Sequence, residues 1–259
     1  MGQPGGEVRI ATLNARNTVD GWRRRRPLLV RQLLELDPHV VGLQELRSIP
    51  DQAVSIAREV KRQTESRVAF QRCRTYKTGL WGFWEGLGLM SRLPVVDRAS
   101  LGLGGQYRVA QRVTVRLPEG GVLEVYNAHL ASKEESLRTA QAQRILEWMR
   151  STSSAPQVLL GDLNARPGST TVELLSASLR SAHAAVHGCE PPKTVPTPLR
   201  RGATGDGSVL DYIFVNEHLQ VHDARVSFDQ VDPTDEHLAA SDHYGLSATV
   251  SLITPPPAS

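Results

Sequence analysis

The feature that most constrains this chain is a set of apolar runs that refuse to alternate. "VRIATLN" (8–14), "HVVGLQE" (39–45), "GLGLMSR" (86–92), "QVLLGD" (157–162) and "VLDYIFV" (209–215) have the length of strands and are apolar on both faces over much of that length. A strand with one wet face reads apolar, polar, apolar; one that is apolar throughout must be covered on both sides. The chain is therefore expected to build sheets packed inside layers. Runs at 111–117, 122–130, 221–228 and 245–252 also read as strands, and "PEGG" between the first two marks a hairpin.

Helical spacing fills some of the intervals. In "PLLVRQLLELDP" the residues Leu29, Val30, Leu33, Leu34 and Leu36 recur at steps of three and four. Pro27 is expected in the first helical turn, with Asp37-Pro38 ending the helix. Segments 51–63 and 135–150 carry the same period. The pattern predicts one α/β domain over residues 1–259, with mixed sheets, helices outside, and frayed ends near 1–6 and 253–259. Segments 72–88 and 186–208 are expected as specificity loops. The second is rich in Pro and Gly and is expected to wall an active site.

Composition excludes several classes. There is no apolar run of membrane-spanning length. The first residues, "MGQPGGEVRIATLN", lack a basic stretch followed by an apolar one, so a cytoplasmic location is expected. Cys73 and Cys189 have no metal-binding spacing and read as free thiols of a reducing compartment. The net charge of +3 owes much to "RRRR" at 23–26. Cations just before a helix oppose its dipole, so they are expected to face an acidic neighbour such as Asp20, Glu35 or a loop carboxylate.

What stands at the strand ends carries the chemistry. The run 8–14 ends on Asn14, 39–45 on Gln44-Glu45, 122–130 on Asn127 and His129, and 157–162 on Asp162, with Asn164 two residues on. Asp211 opens another strand, and Asp242-His243 precedes the last. Each alone has a bland reading as a turn residue or a satisfied interior histidine. Six such strand ends together describe a site for a hard metal and a phosphate. Mg²⁺ takes oxygen ligands and keeps several waters, which makes Glu45 the first candidate ligand and Asp242 and Asn14 the next. Histidine and aspartate then remain to handle an attacking water, and amides to hold phosphate oxygens.

In this order, "TLNARN", "VVGLQEL", "YNAHL", "LLGDLNARPGS", "LDYIFV" and "SDHYGLSATV" resemble the signature blocks of the endonuclease/exonuclease/phosphatase superfamily, and they span residues 8 to 250. The resemblance implies a DNase I-like, four-layer α/β/β/α sandwich of two mixed sheets flanked by helices. It implies that Asn14, Glu45 and Asp242 form the Mg²⁺ site, with Mn²⁺ as a substitute. It implies that Asp211 orients His243, that Asp162 contacts the attacking water, that Asn164 steadies the scissile phosphate and that His129 assists phosphate or leaving group. Whether Asp162 or His243 takes the proton stays open. Glu85, as a partner of His129, and Arg92, in a block similar to "GxAILSR", are second-tier candidates. Arg108 and Arg112 read first as a solvated strand face.

The "NxHL" histidine in "YNAHLAS" favours the branch of DNase I, sphingomyelinases and sugar- or inositol-phosphate phosphatases over the repair enzymes that carry "YxPN". The expected activity is metal-dependent hydrolysis of phosphate esters by a phosphodiesterase or phosphatase. A nuclease acting on DNA or RNA is the alternative, and a non-catalytic phosphate-binding protein the lesser one. Aromatics make up only 5% of the chain, which favours a phosphorylated small molecule or small phosphodiester over nucleic acid.

Overall fold

A computed structural model describes residues 6–47, 51–64, 69–74, 85–152, 155–202 and 205–253. Chain order runs β1 (Val8–Asn14), α1 (Trp22–Leu36), β2 (Val40–Arg47), α2 (Gln52–Thr64), β3 (Ala69–Arg74), β4 (Glu85–Ser91), β5 (Val95–Gly104), β6 (Arg108–Arg116) and β7 (Val122–His129). It continues α3 (Glu135–Thr152), β8 (Gln157–Asp162), α4 (Thr170–Ser176), β9 (Arg180–Ser181), α5 (Ala182–His187) and β10 (Asp211–Val215). It closes with β11 (Leu219–Ser227), β12 (Val231–Asp232), β13 (Asp235–Ala239) and β14 (Gly245–Leu252).

The apolar strands are covered on both faces, as their composition requires. One sheet has the order β11-β14-β1-β2-β4-β3 and the other β5-β6-β7-β8-β10-β9. Ile10, Val40, Leu89, Val113, Val125, Leu160 and Val250 fill the space between the sheets. The outer face of the first sheet buries Leu13, Val41 and Leu43 against Leu29, Leu33 and Ile56 of α1 and α2. The outer face of the second buries Tyr126, Leu159 and Phe214 against Ile145, Leu146 and Leu175 of α3 and α4. The result is the four-layer α/β/β/α sandwich. β1–β2 and β7–β8 are parallel pairs and the other pairings are antiparallel.

The sheets meet closely on the side of the site. A Cβ on Gly42 would stand 2.1 Å from Leu160 Cδ1 across the interface. Beside it, Asn127 Nδ2 on β7 donates to the carbonyls of Leu43 (3.1 Å) and Gly88 (3.0 Å) on the other sheet. Gln44 Nε2 returns a bond to Asn127 Oδ1 at 2.8 Å. These buried amides pin one sheet to the other and give the stacking a register that apolar contact alone would not.

Three expectations need correction. The helix α1 begins at Trp22, so Pro27 lies inside it and not in its first turn, with its ring exposed. The four arginines therefore belong to the helix and do not precede it. Arg24 meets Asp235 at 3.0 Å, and Arg25 is fully buried. The expected loop 72–88 is strand at both ends, since β3 pairs with β4; residues 75–84 lie outside the described set, as do most of the expected frayed ends. Cys189 is free and exposed, while the Cys73 side chain lies outside that set.

Arg25 explains the early start of the helix. Its guanidinium donates to the carbonyls of Ala15, Arg16, Asn17, Val19 and Asp20, and to Ala240 at 2.7 Å. It thus fastens the segment after Asn14 to the segment before Asp242. Arg25→Met should leave these carbonyls unpaired and cost on the order of 3 kcal/mol or more. Arg25→Lys should rescue little, because an ammonium lacks the planar fork. A thermal melt should fall by roughly 6–12 °C for the Met variant; a melt indistinguishable from the parent would refute this role for Arg25.

Candidate active site

The strand ends converge because parallel β1–β2 and parallel β7–β8 both deliver their C-terminal ends to one rim. At that rim the backbone is irregular where a side chain has to be aimed. Pairing of β2 with β4 runs Leu43 with Gly88 and then Leu46 with Gly86, so β2 carries one extra residue, and Glu45 sits there at φ 51°. Such a bulge re-aims a side chain, and the left-handed conformation at a non-glycine residue costs about 1–3 kcal/mol. Asn164 is likewise left-handed at φ 50°. Gly161 (φ 139°) allows β8 to approach β7 so closely that a Cβ would lie 1.9 Å from the Ala128 carbonyl.

Asp162 is the centre of what these strands bring together. It is 2% exposed. Its Oδ2 accepts from Asn14 Nδ2 of the opposite sheet at 2.9 Å, and its Oδ1 from the Asn164 backbone N–H at 2.9 Å. His129 Nε2 lies 3.5 Å and His243 Nε2 3.9 Å from the same Oδ2. His243 Nδ1 in turn donates to Asp211 Oδ2 at 2.9 Å, which leaves Nε2 facing Asp162. Asp211 is fully buried, and its backbone N–H is bound at 3.3 Å by Thr194 Oγ1 from the Pro/Gly-rich loop.

Burial pushes the Asp162 carboxyl above the usual carboxylate range, against the pull of His243. Burial opposes charge on His243 as well, but Asp211 and Asp162 outweigh it and raise that imidazole. Glu45 is pushed up by burial and then by the neighbouring Glu85. Two carboxylates repelling one another in a half-buried site make a place for a cation. One ligand atom each from Glu45, His129 and Asp162 lie within 4.8 Å of one another, as do one each from Asp162, Asp211 and His243. This oxygen-rich set around Glu45 fits a hard divalent ion.

The other candidates are placed as follows. Asn14 is fully buried and engaged, its Oδ1 accepting from the Arg16 N–H at 2.9 Å. Asp242, 1% exposed, gives its Oδ2 to Arg200 at 2.7 Å and lies 3.4 Å from Arg16, so its charge is matched by arginine. Asn164 lines the cavity while its Nδ2 donates to the Leu130 carbonyl at 3.0 Å. Glu85 lines the cavity too and accepts from Asn17 Nδ2 at 3.4 Å. Arg92 is a correction: β2 and β4 are antiparallel, so it follows the end of β4 farthest from Glu45 and pairs with Asp37.

The cavity above this cluster has a volume of about 710 Å³. Arg16, Arg108, Arg166 and Arg200 stand in its walls. Arg108 is not on a solvated face as its strand pattern suggested. It is 8% exposed, and the carboxylates of Asp162, Glu85 and Glu45 favour its charge against a burial penalty that lowers its pKa. Arg112 points the other way, to Asp97 and to Glu124 at 3.5 Å, with its guanidinium 5.8 Å from the Trp148 ring. Thr194, Arg166 and Arg200 went unread. Arg166 stood inside "GDLNARPGS", where its adjacency to Asp162 and Asn164 was the available signal.

Comparison with known proteins agrees with this geometry. Residues 11–243 match the sequence model of the Endonuclease/Exonuclease/phosphatase family. Protein angel of Drosophila melanogaster is 28% identical over 171 residues, which cover 60% of this chain and 47% of that protein, so the chain spans about half the length of this curated relative. The human Nocturnin catalytic domain with a bound sulfate anion superposes with a TM-score of 0.77 at 20% identity, over 96% of this chain and 94% of that one. A mannosyl-6-phosphatase of Bacteroides thetaiotaomicron gives 0.74 at 17% identity, over 95% and 100%. These two structures share the fold; the match over residues 11–243 takes in every strand end that builds the site, and the chain belongs to the endonuclease/exonuclease/phosphatase family.

Proposed function

We propose that this chain is a Mg²⁺-dependent hydrolase of phosphate esters, acting on small substrates in preference to nucleic acid. The observation that carries the reading is the buried Asp162 carboxylate, held by Asn14 and Asn164, facing two histidines and opening into an arginine-walled cavity. Buried carboxylates without a full cation partner are costly, and they are retained where chemistry uses them. Of the similar structures, one holds a bound sulfate and one is a mannosyl-6-phosphatase, which is consistent with a tetrahedral anion as ligand.

In this mechanism the substrate phosphate enters between Arg108 and His129. Asp162 and His243 hold a water in line with the ester bond, and Asp211 keeps His243 in the tautomer that presents Nε2. As the water oxygen attacks phosphorus, its proton passes to the Asp162–His243 pair, whose apparent titration belongs to both groups. The ester P–O bond breaks, and the departing oxygen is protonated at the expense of His129 or solvent. Mg²⁺, held at Glu45 with Asp162 and Asn14 at hand, would supply charge neutralisation to the phosphoryl oxygens.

Nucleic acid is disfavoured on one observation. Of the arginine run, Arg25 is buried and Arg24 is paired with Asp235, so little of it is left to track a phosphate backbone.

Release of phosphate or p-nitrophenol should be measured from p-nitrophenyl phosphate and bis-p-nitrophenyl phosphate, release of phosphocholine from sphingomyelin, and conversion of supercoiled plasmid DNA to nicked or linear forms. Turnover of at least one small ester should depend on Mg²⁺ and stop in EDTA, and Glu45→Gln should lower kcat/KM by roughly 100-fold or more. Undiminished turnover in EDTA or by the Gln variant would refute the metal assignment, and cleavage of DNA alone would refute the substrate preference.

His243→Asn should cost about 100-fold or more, the range for a positioned acid–base group. Asp211→Asn should cost less, and the double variant little more than His243→Asn, because residues that act as one unit are not additive. Losses that simply multiply in the double variant, with folding verified by melting, would mean the two do not act together.

A further inference from the structure

The cavity does not end at the reacting cluster. A second polar recess of about 480 Å³ opens beside it and shares Ser132, Asn164, Arg166 and Leu210 with it. Arg166 is the cation common to both. The other guanidiniums of these walls are already matched: Arg16 lies 2.9 Å from Asp20, Arg200 2.7 Å from Asp242, and Arg138 3.7 Å from Glu135. Arg108 faces the site carboxylates. Among the described residues, exposed Arg166 has no carboxylate partner.

Its backbone is nonetheless fixed. Asn164 is locked in its left-handed turn, the Tyr212 hydroxyl donates to the Ala165 carbonyl at 2.8 Å, and the Ser169 N–H closes on the Arg166 carbonyl at 3.1 Å. Ser169, which lines the recess, caps α4 by accepting from the Val172 N–H at 3.4 Å. Glu135, the carboxylate of the recess wall, lies 3.7 Å from Arg138 and accepts from the Thr171 N–H at 3.3 Å, and the planar guanidinium fork of Arg166 suits the oxygens of a phosphate.

We propose that Arg166 and the adjoining recess form a subsite for a second phosphate group, so that the preferred substrate is a small bisphosphate whose other phosphate lies at Asp162. This rests on the phosphate-ester reading above and narrows its substrate class.

The test is direct binding by calorimetry in EDTA, where turnover is stopped. The probes are the terminal bisphosphates of ethanediol, butanediol and hexanediol, with butyl phosphate as the monophosphate reference and a single-stranded oligothymidylate as the nucleic-acid arm. At least one bisphosphate should bind the parent roughly 10-fold or more tighter than butyl phosphate, and Arg166→Ala should shrink that ratio to under about 3-fold, the loss of one charge-assisted contact. Arg166→Lys should keep part of the ratio, and Arg150→Ala, at the far end of α3, all of it. The proposal is overturned if no bisphosphate is preferred, or if the preference survives Arg166→Ala. It is also overturned if Arg166→Ala weakens the oligothymidylate alone. A parent that shows the preference but hydrolyses no ester with Mg²⁺ would sink the hydrolase reading and leave the subsite standing.

Discussion

The structure turns on one hydrogen bond across the sandwich, from Asn14 Nδ2 at the end of β1 to Asp162 Oδ2 at the end of β8. The two residues belong to different sheets, and neither is exposed by more than 2%. Their bond requires the sheets to approach within side-chain length at that rim, and the glycine at 42 and the Asn127–Gln44 amide pair make the approach possible. Once the rims meet, Glu45, His129, Asn164 and His243 fall beside Asp162. The fold delivers a site because it is a stack of sheets with parallel strands at its centre, and not because any one loop is shaped for it.

Electrostatics then divides the site into two zones. Near Asp162 and Glu45, acidic groups are crowded and partly desolvated, and their charged forms are held at a cost. Around them stand arginines that differ in freedom. Arg200 and Arg16 neutralise Asp242, Arg108 faces the carboxylate cluster, and Arg166 stands in the open. A substrate with its own negative charge can add to this arrangement without displacing an internal partner only where a guanidinium is unmatched. That asymmetry is why the cavity can be read for substrate class.

Much of this was legible in the sequence, for a physical reason. Strands buried on both faces must be written in apolar residues, so an Asp, Asn or His ending such a strand stands out; Asp162, Asn14, His129 and Glu45 stand out that way, and the structure brings them to one rim. What the sequence hid were side chains whose role depends on a distant backbone. Arg25 looked like one charge among four, yet it collects carbonyls from residues 15 to 20 and from Ala240. Asp242 is engaged by Arg200, forty-two residues earlier, a contact that no local pattern announces. Arg92 followed a family block, while the antiparallel pairing of β2 and β4 carries it to the opposite rim. Arg108 sits in the same polar-looking strand as Arg112, and only the position of the β5–β6 hairpin over the rim separates a site residue from a structural one.

The central claim is that the strand ends of two sheets form one cation and phosphate centre beside Asp162 and Glu45. Its most direct test is the anomalous scattering of Mn²⁺ in crystals grown with that ion, which marks the ion's position independently of any assay. The account predicts a strong peak at about 2.1 Å from a Glu45 carboxylate oxygen, the distance expected for a small divalent ion on oxygen. A fully occupied peak found only at acidic surface residues, such as Asp232 and Asp235, with none at Glu45, would contradict it.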